Sequence, residues 1–233
     1  MNIRSRTLIK ITSKNVIDVV KYSDTKIIFA EDIPTIDTSQ SKANFFILDF
    51  ETGEKEAVTK NVYKLKKFGH AFERICEQIT EYVNCSTIIL NNRNVLVMFE
   101  SGEAGLFDPD GEMLWTKKLT FNDIPVISLA ADDEYFWSVC KSENCVIRYN
   151  AENFNVDIRI GGKDQDTFNA PYFASSDDEY IYICCADKVR RISKEDLTVS
   201  DAEGIYETPD RFYKLGRFSI LCNFEGTYID KDD

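Results

Sequence analysis

A chain of 233 residues with 43% aliphatic, aromatic and cysteine content can bury a full core, which excludes a disordered chain and suits one large all-β domain over 1–233. Its formal charge of −12 repels phosphate backbones and anionic membrane surfaces, so the expected partner is a cationic protein and neither nucleic acid nor membrane. Met1 to Thr7 leads into no signal-peptide apolar run, nothing approaches the ~18 apolar residues of a membrane span, and seven cysteines without regular close spacing predict reduced thiols in a cytoplasmic monomer.

Along the chain, Thr7 to Thr12 reads as a strand with no partner ahead of it. Val16 to Val20 opens a first unit, which turns at Ser23-Asp24-Thr25 and continues in a strand from Lys26. After an irregular stretch from Glu31 to Asn44 it closes with Phe46-Ile47-Leu48-Asp49. An insertion over 62–84 follows, in which Phe72, Ile75, Cys76, Ile79, Tyr82 and Val83 recur at helical steps of three and four. The insertion's expected role is to pack that stripe on the body of the protein and cover it, with a lid or partner-binding helix as the alternative. The second unit turns at Asn91-Asn92-Arg93 between apolar strands, Val95 to Phe99 being the clearest. The third runs from Pro125 through Asp132-Asp133-Glu134 to Val146-Ile147-Arg148-Tyr149-Asn150. The fourth runs from Pro171 through Asp177-Asp178-Glu179 to Val189-Arg190-Arg191-Ile192-Ser193, and the fifth turns at Leu215-Gly216 and ends at Thr227-Tyr228-Ile229-Asp230.

The two acidic turns lie 45 positions apart, from Asp132 to Asp177. With Lys26, Asn94, Tyr135, Tyr180 and Arg217 as equivalent starts of second strands, the spacings are 68, 41, 45 and 37 residues. A period near 40–45 residues with four strands per unit predicts propeller blades. Second strands such as Tyr135 to Cys140 are apolar on both faces, as strands sandwiched between neighbouring sheets must be. The fold class is therefore all-β: a five-bladed β-propeller with a short helical insertion between blades 1 and 2. The blades cover roughly 16–61, 85–120, 124–160, 170–206, and 209–233 plus 6–12. The N-terminal strand supplies the missing fourth strand of blade 5 and closes the ring, since an unpaired edge would otherwise remain.

Ile160-Gly161-Gly162-Lys163, Phe168-Asn169-Ala170-Pro171, Asp178 to Ile183, Ala186-Asp187 and Val189 to Ile192 together resemble one NHL-type propeller repeat. The resemblance covers about one blade in five and implies the architecture; RNA binding, known in part of that family, sits poorly with the acidic charge.

In antiparallel blades the turns joining first to second and third to fourth strands share one face. The second-to-third loops and blade-to-blade connections share the other, where the longest irregular segments fall. Binding residues concentrate on such loops, which makes Asp32, Asp37, His70, Glu73, Glu77, Glu81, Asp164 and Asp166 the candidate partner-binding set. The acidic turns fit Asp side-chain-to-backbone bonding without a ligand. Cys140, Cys185 and Cys222 each stand five residues after a second-strand start and behave as one repeated core position. His70 is the only histidine, which excludes multi-histidine metal sites; a Cys76–His70 nucleophile would need Cys76 off the helix stripe. Asp18 and Asp210 on innermost strands are the carboxylates a channel-centred hydrolase would use. The expectation is a non-enzymatic protein-binding propeller without metal or cofactor, the partner docking on the long-loop face. The alternatives are an immunity-type protein neutralising a basic, nuclease-like toxin and a propeller-fold carbohydrate hydrolase.

Overall fold

Runs of β-branched and aromatic residues punctuated by Asp, Asn and Gly turns fold as antiparallel sheets. The computed structural model describes residues 9–33, 42–79, 81–83, 85–203, 205, 208–223 and 226–231. The chain opens with β1 (Ile9–Thr12), and blade 1 follows as β2 (Val16–Lys21), β3 (Lys26–Ile33), β4 (Lys42–Asp49) and β5 (Lys55–Val58). Helices α1 (Lys60–Phe68) and α2 (Phe72–Gln78) come next, then blade 2 as β6 (Ser86–Ile89), β7 (Val95–Met98), β8 (Glu103–Phe107) and β9 (Met113–Lys118). A two-stranded hairpin, β10 (Thr120–Phe121) and β11 (Ile124–Pro125), leads to blade 3, made of β12 (Ile127–Asp132), β13 (Tyr135–Cys140), β14 (Cys145–Asn150) and β15 (Val156–Gly161). Asn122 and Asp123 at the hairpin tip both have positive φ, as its tight reversal requires. Blade 4 is β16 (Phe173–Ser176), β17 (Tyr180–Cys184), β18 (Val189–Ser193) and β19 (Val199–Asp201). Blade 5 is β20 (Arg211–Leu215), β21 (Phe218–Asn223) and β22 (Gly226–Lys231), with β1 as its fourth strand.

Closure by the N-terminal strand is therefore a feature of the molecule. β1 runs antiparallel to β22 with Ile9 opposite Ile229, Lys10 opposite Tyr228 and Thr12 opposite Thr227. The backbones approach so closely that a Cβ on Gly226, whose φ is 144°, would strike the Thr12 carbonyl oxygen. Beyond β1, Glu31 reaches back from blade 1 to Lys14 at 3.5 Å and to Lys55 at 2.7 Å, tying the closing segment to the next blade.

Alternate residues of each second strand serve different neighbours. On β13, Phe136 and Cys140 pack toward blade 2, while Trp137 and Val139 pack toward blade 4. On β17, Ile181 and Ile183 face blade 3 and Tyr182 and Cys184 face blade 5. On β21, Phe218, Ile220 and Cys222 face blade 1, where they meet Ile27 and Phe29. Burying a side chain of this size contributes about 1.5–3 kcal/mol, so each sheet-to-sheet joint is an apolar contact carried by a few residues.

Blades 1 and 2 do not meet this way. The free face of blade 1, with Ile28, Ala30 and Phe45, packs on Val62 and Tyr63 of α1 and on Tyr82 and Val83. The free face of blade 2, with Val95, Val97 and Phe107, packs on Phe68 of α1 and on Phe72, Ile75, Cys76 and Ile79. The helix pair is a wedge between two blades, occupying the place a sixth blade would take. This corrects the expectation that the insertion lies over the propeller as a cover, and it accounts for the 68-residue spacing of the first two units. Two further boundaries change. The expected helix over 72–83 is α2, which ends at Gln78 because Ile79 adopts extended dihedrals, and α1 precedes it from Lys60. The stretch from Glu31 to Asn44 is not wholly irregular, since β3 runs to Ile33 and β4 starts at Lys42.

Candidate functional site: the central channel and the connection face

The innermost strands β2, β6, β12, β16 and β20, together with α1, surround a central channel of about 780 Å³. Its wall is laced by polar links between neighbouring strands. The Leu129 N–H donates to Ser86 Oγ at 2.8 Å, joining blades 2 and 3, and Ser128 Oγ accepts from the Ala174 N–H at 2.9 Å, joining blades 3 and 4. Ser175 Oγ donates to the Phe212 carbonyl at 2.6 Å, joining blades 4 and 5. Asp18 makes the remaining links. Its carboxylate lies 3.8 Å from the Arg211 guanidinium of blade 5 and 2.6 Å from Lys67 Nζ on α1, and it accepts a short hydrogen bond from Tyr63. Lys67 completes the circuit by donating to the Cys85 carbonyl at 2.7 Å, just ahead of blade 2, and to that of Val83 at 3.1 Å.

Tyr63 and Lys67 are one helical turn apart and so share the face of α1 that meets Asp18. Both are buried, Tyr63 completely and Lys67 with 7% of its surface exposed. Burial, then the charge of Asp18, raises the Tyr63 phenol well above its ordinary value, so it stays a neutral donor. Burial likewise raises Tyr213 beside Arg211. Of the two channel carboxylates read from the sequence, Asp18 is thus committed to a lysine and a tyrosine, and Asp210 is exposed at the channel rim. Lys67 and Arg211 do not stand out in the sequence, though a carboxylate within the buried run Val16 to Val20 is itself a signal that a cation stands nearby.

The candidate partner-binding residues separate. Asp32 lies half-buried at the end of β3, and Asp164 and Asp166 are exposed in the connection between β15 and β16. Asp37 falls outside the described residues. His70, Glu73 and Glu77 are exposed on the helical wedge, whose middle crosses the disc toward the opposite face. There Lys66 Nζ donates to the Tyr22 carbonyl at 3.2 Å, in the turn between β2 and β3. Arg74 pairs with Glu112 and Gln78 donates to the Gly111 carbonyl at 2.8 Å, both in the turn between β8 and β9. Glu81 is exposed on the returning segment. The seven described residues therefore do not assemble on one face: the helix that carries Glu73 and Glu77 docks against the acidic-turn side.

On the connection face a recess of about 380 Å³ is lined by Asn144, Lys163, Asp166, Asp187, Lys188 and Arg190, among others. Its cations have partners: Lys163 with Glu143 at 2.8 Å, Lys188 with Asp201 at 3.2 Å and Arg190 with Asp201 at 2.9 Å. Among the described residues Asp164, Asp166 and Asp187 form no ion pair, and all three are exposed.

The acidic turns have local employment. Asp132 accepts from Trp137 Nε1 at 2.8 Å, and Asp177 accepts from the Tyr182 hydroxyl at 2.8 Å, the same five-residue step in each blade. Cys140, Cys185 and Cys222 are buried core residues. Cys140 stands opposite Cys145 in the β13–β14 register; their thiol contact lowers Cys140 to about 7 and raises Cys145. Cys76 is turned into the blade 2 cluster, where burial raises its thiol, while His70 points into solvent at the loop between the helices.

No protein-family model matches the chain, and no curated protein does. Among solved structures, virginiamycin B lyase from Staphylococcus aureus matches with a TM-score of 0.53 at 10% identity, over 92% of this chain and 79% of the lyase. The extracellular domain of a hybrid two-component system from B. thetaiotaomicron matches at 0.50 and 11% identity, over 94% of this chain and 28% of that one. BamB from Moraxella catarrhalis, at 0.45 and 10% identity, is too distant to carry an argument. At such identities the likeness concerns fold alone, and the class it defines is the β-propeller, here with five blades. The NHL-type resemblance of the fourth blade is not confirmed. A lyase among the similar structures shares the architecture and decides nothing about catalysis in this one.

Proposed function

We propose that this propeller is a non-catalytic, cytoplasmic recognition module that binds a cationic protein on its connection face. The observation that carries the reading is the recess beside β16, where Lys163 pairs with Glu143 and Lys188 and Arg190 share Asp201, while Asp166 and Asp187 in its lining and the nearby Asp164 are left without ion-pair partners among the described residues. A lysine or arginine of the partner entering there meets carboxylates that need not break an existing pair. A hydrolase reading needs a free acid and a free nucleophile in the channel, whereas Asp18 is held by Lys67 and Tyr63. The test is co-purification of partners from the native host, followed by surface-immobilised kinetics with the identified partner. Changing Asp164, Asp166 and Asp187 to Lys should slow association and flatten its salt dependence, because charge complementarity acts chiefly on the encounter rate. Unchanged kinetics in that variant, or turnover of a glycoside by the purified protein, would overturn the reading.

A further inference from the structure

We propose that the central channel is a binding site for a small oxyanion, a compound bearing a carboxylate or phosphate group, held by the guanidinium of Arg211. The inference stands apart from the protein-binding reading and concerns a different surface.

Charge is the first observation. The chain as a whole carries 40 acidic against 28 basic residues, whereas on the channel wall the two signs balance. Lys66, Lys67 and Arg211 line it against Asp18, Glu100 and Asp210, and a fourth cation there, Lys21, is paired with Asp24 at 2.9 Å. In a molecule that repels anions from its exterior, the channel is where an anion is tolerated.

The second observation is a guanidinium without a dedicated counterion. Asp18 lies 2.6 Å from Lys67 and accepts from Tyr63, but its approach to Arg211 is 3.8 Å, an ion-pair distance too long for a hydrogen bond. Lys67 and Arg211 thus share one carboxylate, leaving a positive charge in excess. Asp210, next in sequence, is exposed and forms no ion pair with Arg211 among the described residues. Arginine stays charged even when desolvated, and its planar fork matches the two oxygens of a carboxylate or phosphate. With three-quarters of its side chain covered, Arg211 is sheltered enough for such a contact to discriminate.

The third observation is room. A volume of about 780 Å³ lies within the range of small-molecule sites. Phe173, Ile127 and Met98 supply apolar wall for the remainder of a ligand. The site therefore fits a small organic acid or phosphate ester better than a bare ion.

The experiment measures the melting temperature of the full chain during titration with inorganic phosphate and, separately, citrate, each against sodium chloride at equal ionic strength. A ligand that binds only the folded state raises the melting temperature in a saturable way. The expected result is such a rise for the unaltered protein, a loss of apparent affinity of roughly tenfold or more in Arg211→Gln, and no loss in Arg217→Gln, which removes an exposed arginine. Should Arg211→Gln fail to fold, hydrogen exchange on the unaltered protein decides. Probe-dependent slowing must appear in 209–215 and 16–21, the neighbouring segments of the channel wall that carry Arg211 and Asp18. A rise no greater than that in sodium chloride, an equal rise in Arg211→Gln, or slowing confined to other segments overturns the proposal.

Discussion

The joint between blades 3 and 4 and the joint between blades 1 and 2 solve one problem with different chemistry. In the first, Trp137, Val139 and Val146 meet Ile181, Ile183 and Ile192 with no exposed surface on any of them, sheet directly on sheet. In the second, two short helices fill a gap too wide for the sheets to close, and the inner end of the gap is sealed by Lys67, Asp18 and Tyr63. An apolar joint tolerates imperfect loss, because removing one side chain leaves the others packed. A buried ion pair does not, because removing one member leaves the other charged and dry.

The sharpest way to break that comparison is Asp18→Ala. It strands Lys67 and Tyr63, and the expected loss is about 3–5 kcal/mol in equilibrium urea unfolding. Replacing the pair together, Asp18→Leu with Lys67→Met, should recover part of that loss, since the fully buried Lys67 charge leaves with its partner and only the partly sheltered Arg211 loses a carboxylate. A double variant as unstable as the single one would show that the pair specifies the position of α1 beyond its own charge balance. The matching change at the apolar joint, Ile183→Ala, should cost roughly 2–4 kcal/mol through lost transfer energy and a residual cavity. That cost should be independent of salt, where the Asp18 effect on Arg211 should not be.

The two joints also differ in how legible they are in the sequence. Blades 3 and 4 declare themselves because Asp132 and Asp177 do more than shape their turns. Each also holds the aromatic side chain five residues on, so turn and strand repeat as one unit. The wedge is half legible. The apolar stripe from Phe72 to Val83 does pack on the blades as its periodicity demands. α1 escapes because its buried face reads Tyr63, Lys67, Phe68, with a lysine where the pattern asks for an apolar residue, so Lys64, Lys66 and Lys67 look like a solvated run. The channel site is obscured for the same reason. Asp18 is visible on its strand, but its partners come from a helix and from a blade nearly two hundred residues away, and no spacing rule connects them. Sorting loops by face fails for Glu73 and Glu77 because that rule applies to strands, and a helical wedge crosses the disc.

A smaller effect is expected at the ring closure, which joins blades 5 and 1 by strand pairing as well as by apolar contact. Gly226→Ala forces a side chain into the Thr12 backbone at a φ that other residues avoid, for a cost of roughly 1–3 kcal/mol. Hydrogen exchange should quicken first in 9–12 and 226–231, leaving the joint between blades 3 and 4 protected. Uniform quickening would mean that the closing strand and the ring open together.

The smallest effect, and the one with a defined pH signature, belongs to Glu31, the carboxylate that ties the closing segment to blade 1. Burial pushes its pKa up, but Lys55, Thr12 and Lys14 more than offset this, so it lies below the ordinary value of 4.5. A carboxyl depressed in the folded state stabilises fully above its unfolded value and loses that contribution as pH falls through the folded one. The stability curve of the unaltered protein should therefore drop below about pH 4.5 by more than that of Glu31→Gln, which has no proton to take up there. The two proteins should differ most near neutral pH and converge as pH falls through the folded value. Other carboxylates, including Asp49 held down by Lys26, lose stability in the same acid range in both proteins, so the difference between the curves isolates Glu31. A gap between the urea midpoints that stays constant across this range would show that Glu31 acts through packing alone, and that the latch between the closing strand and blade 1 is not electrostatic.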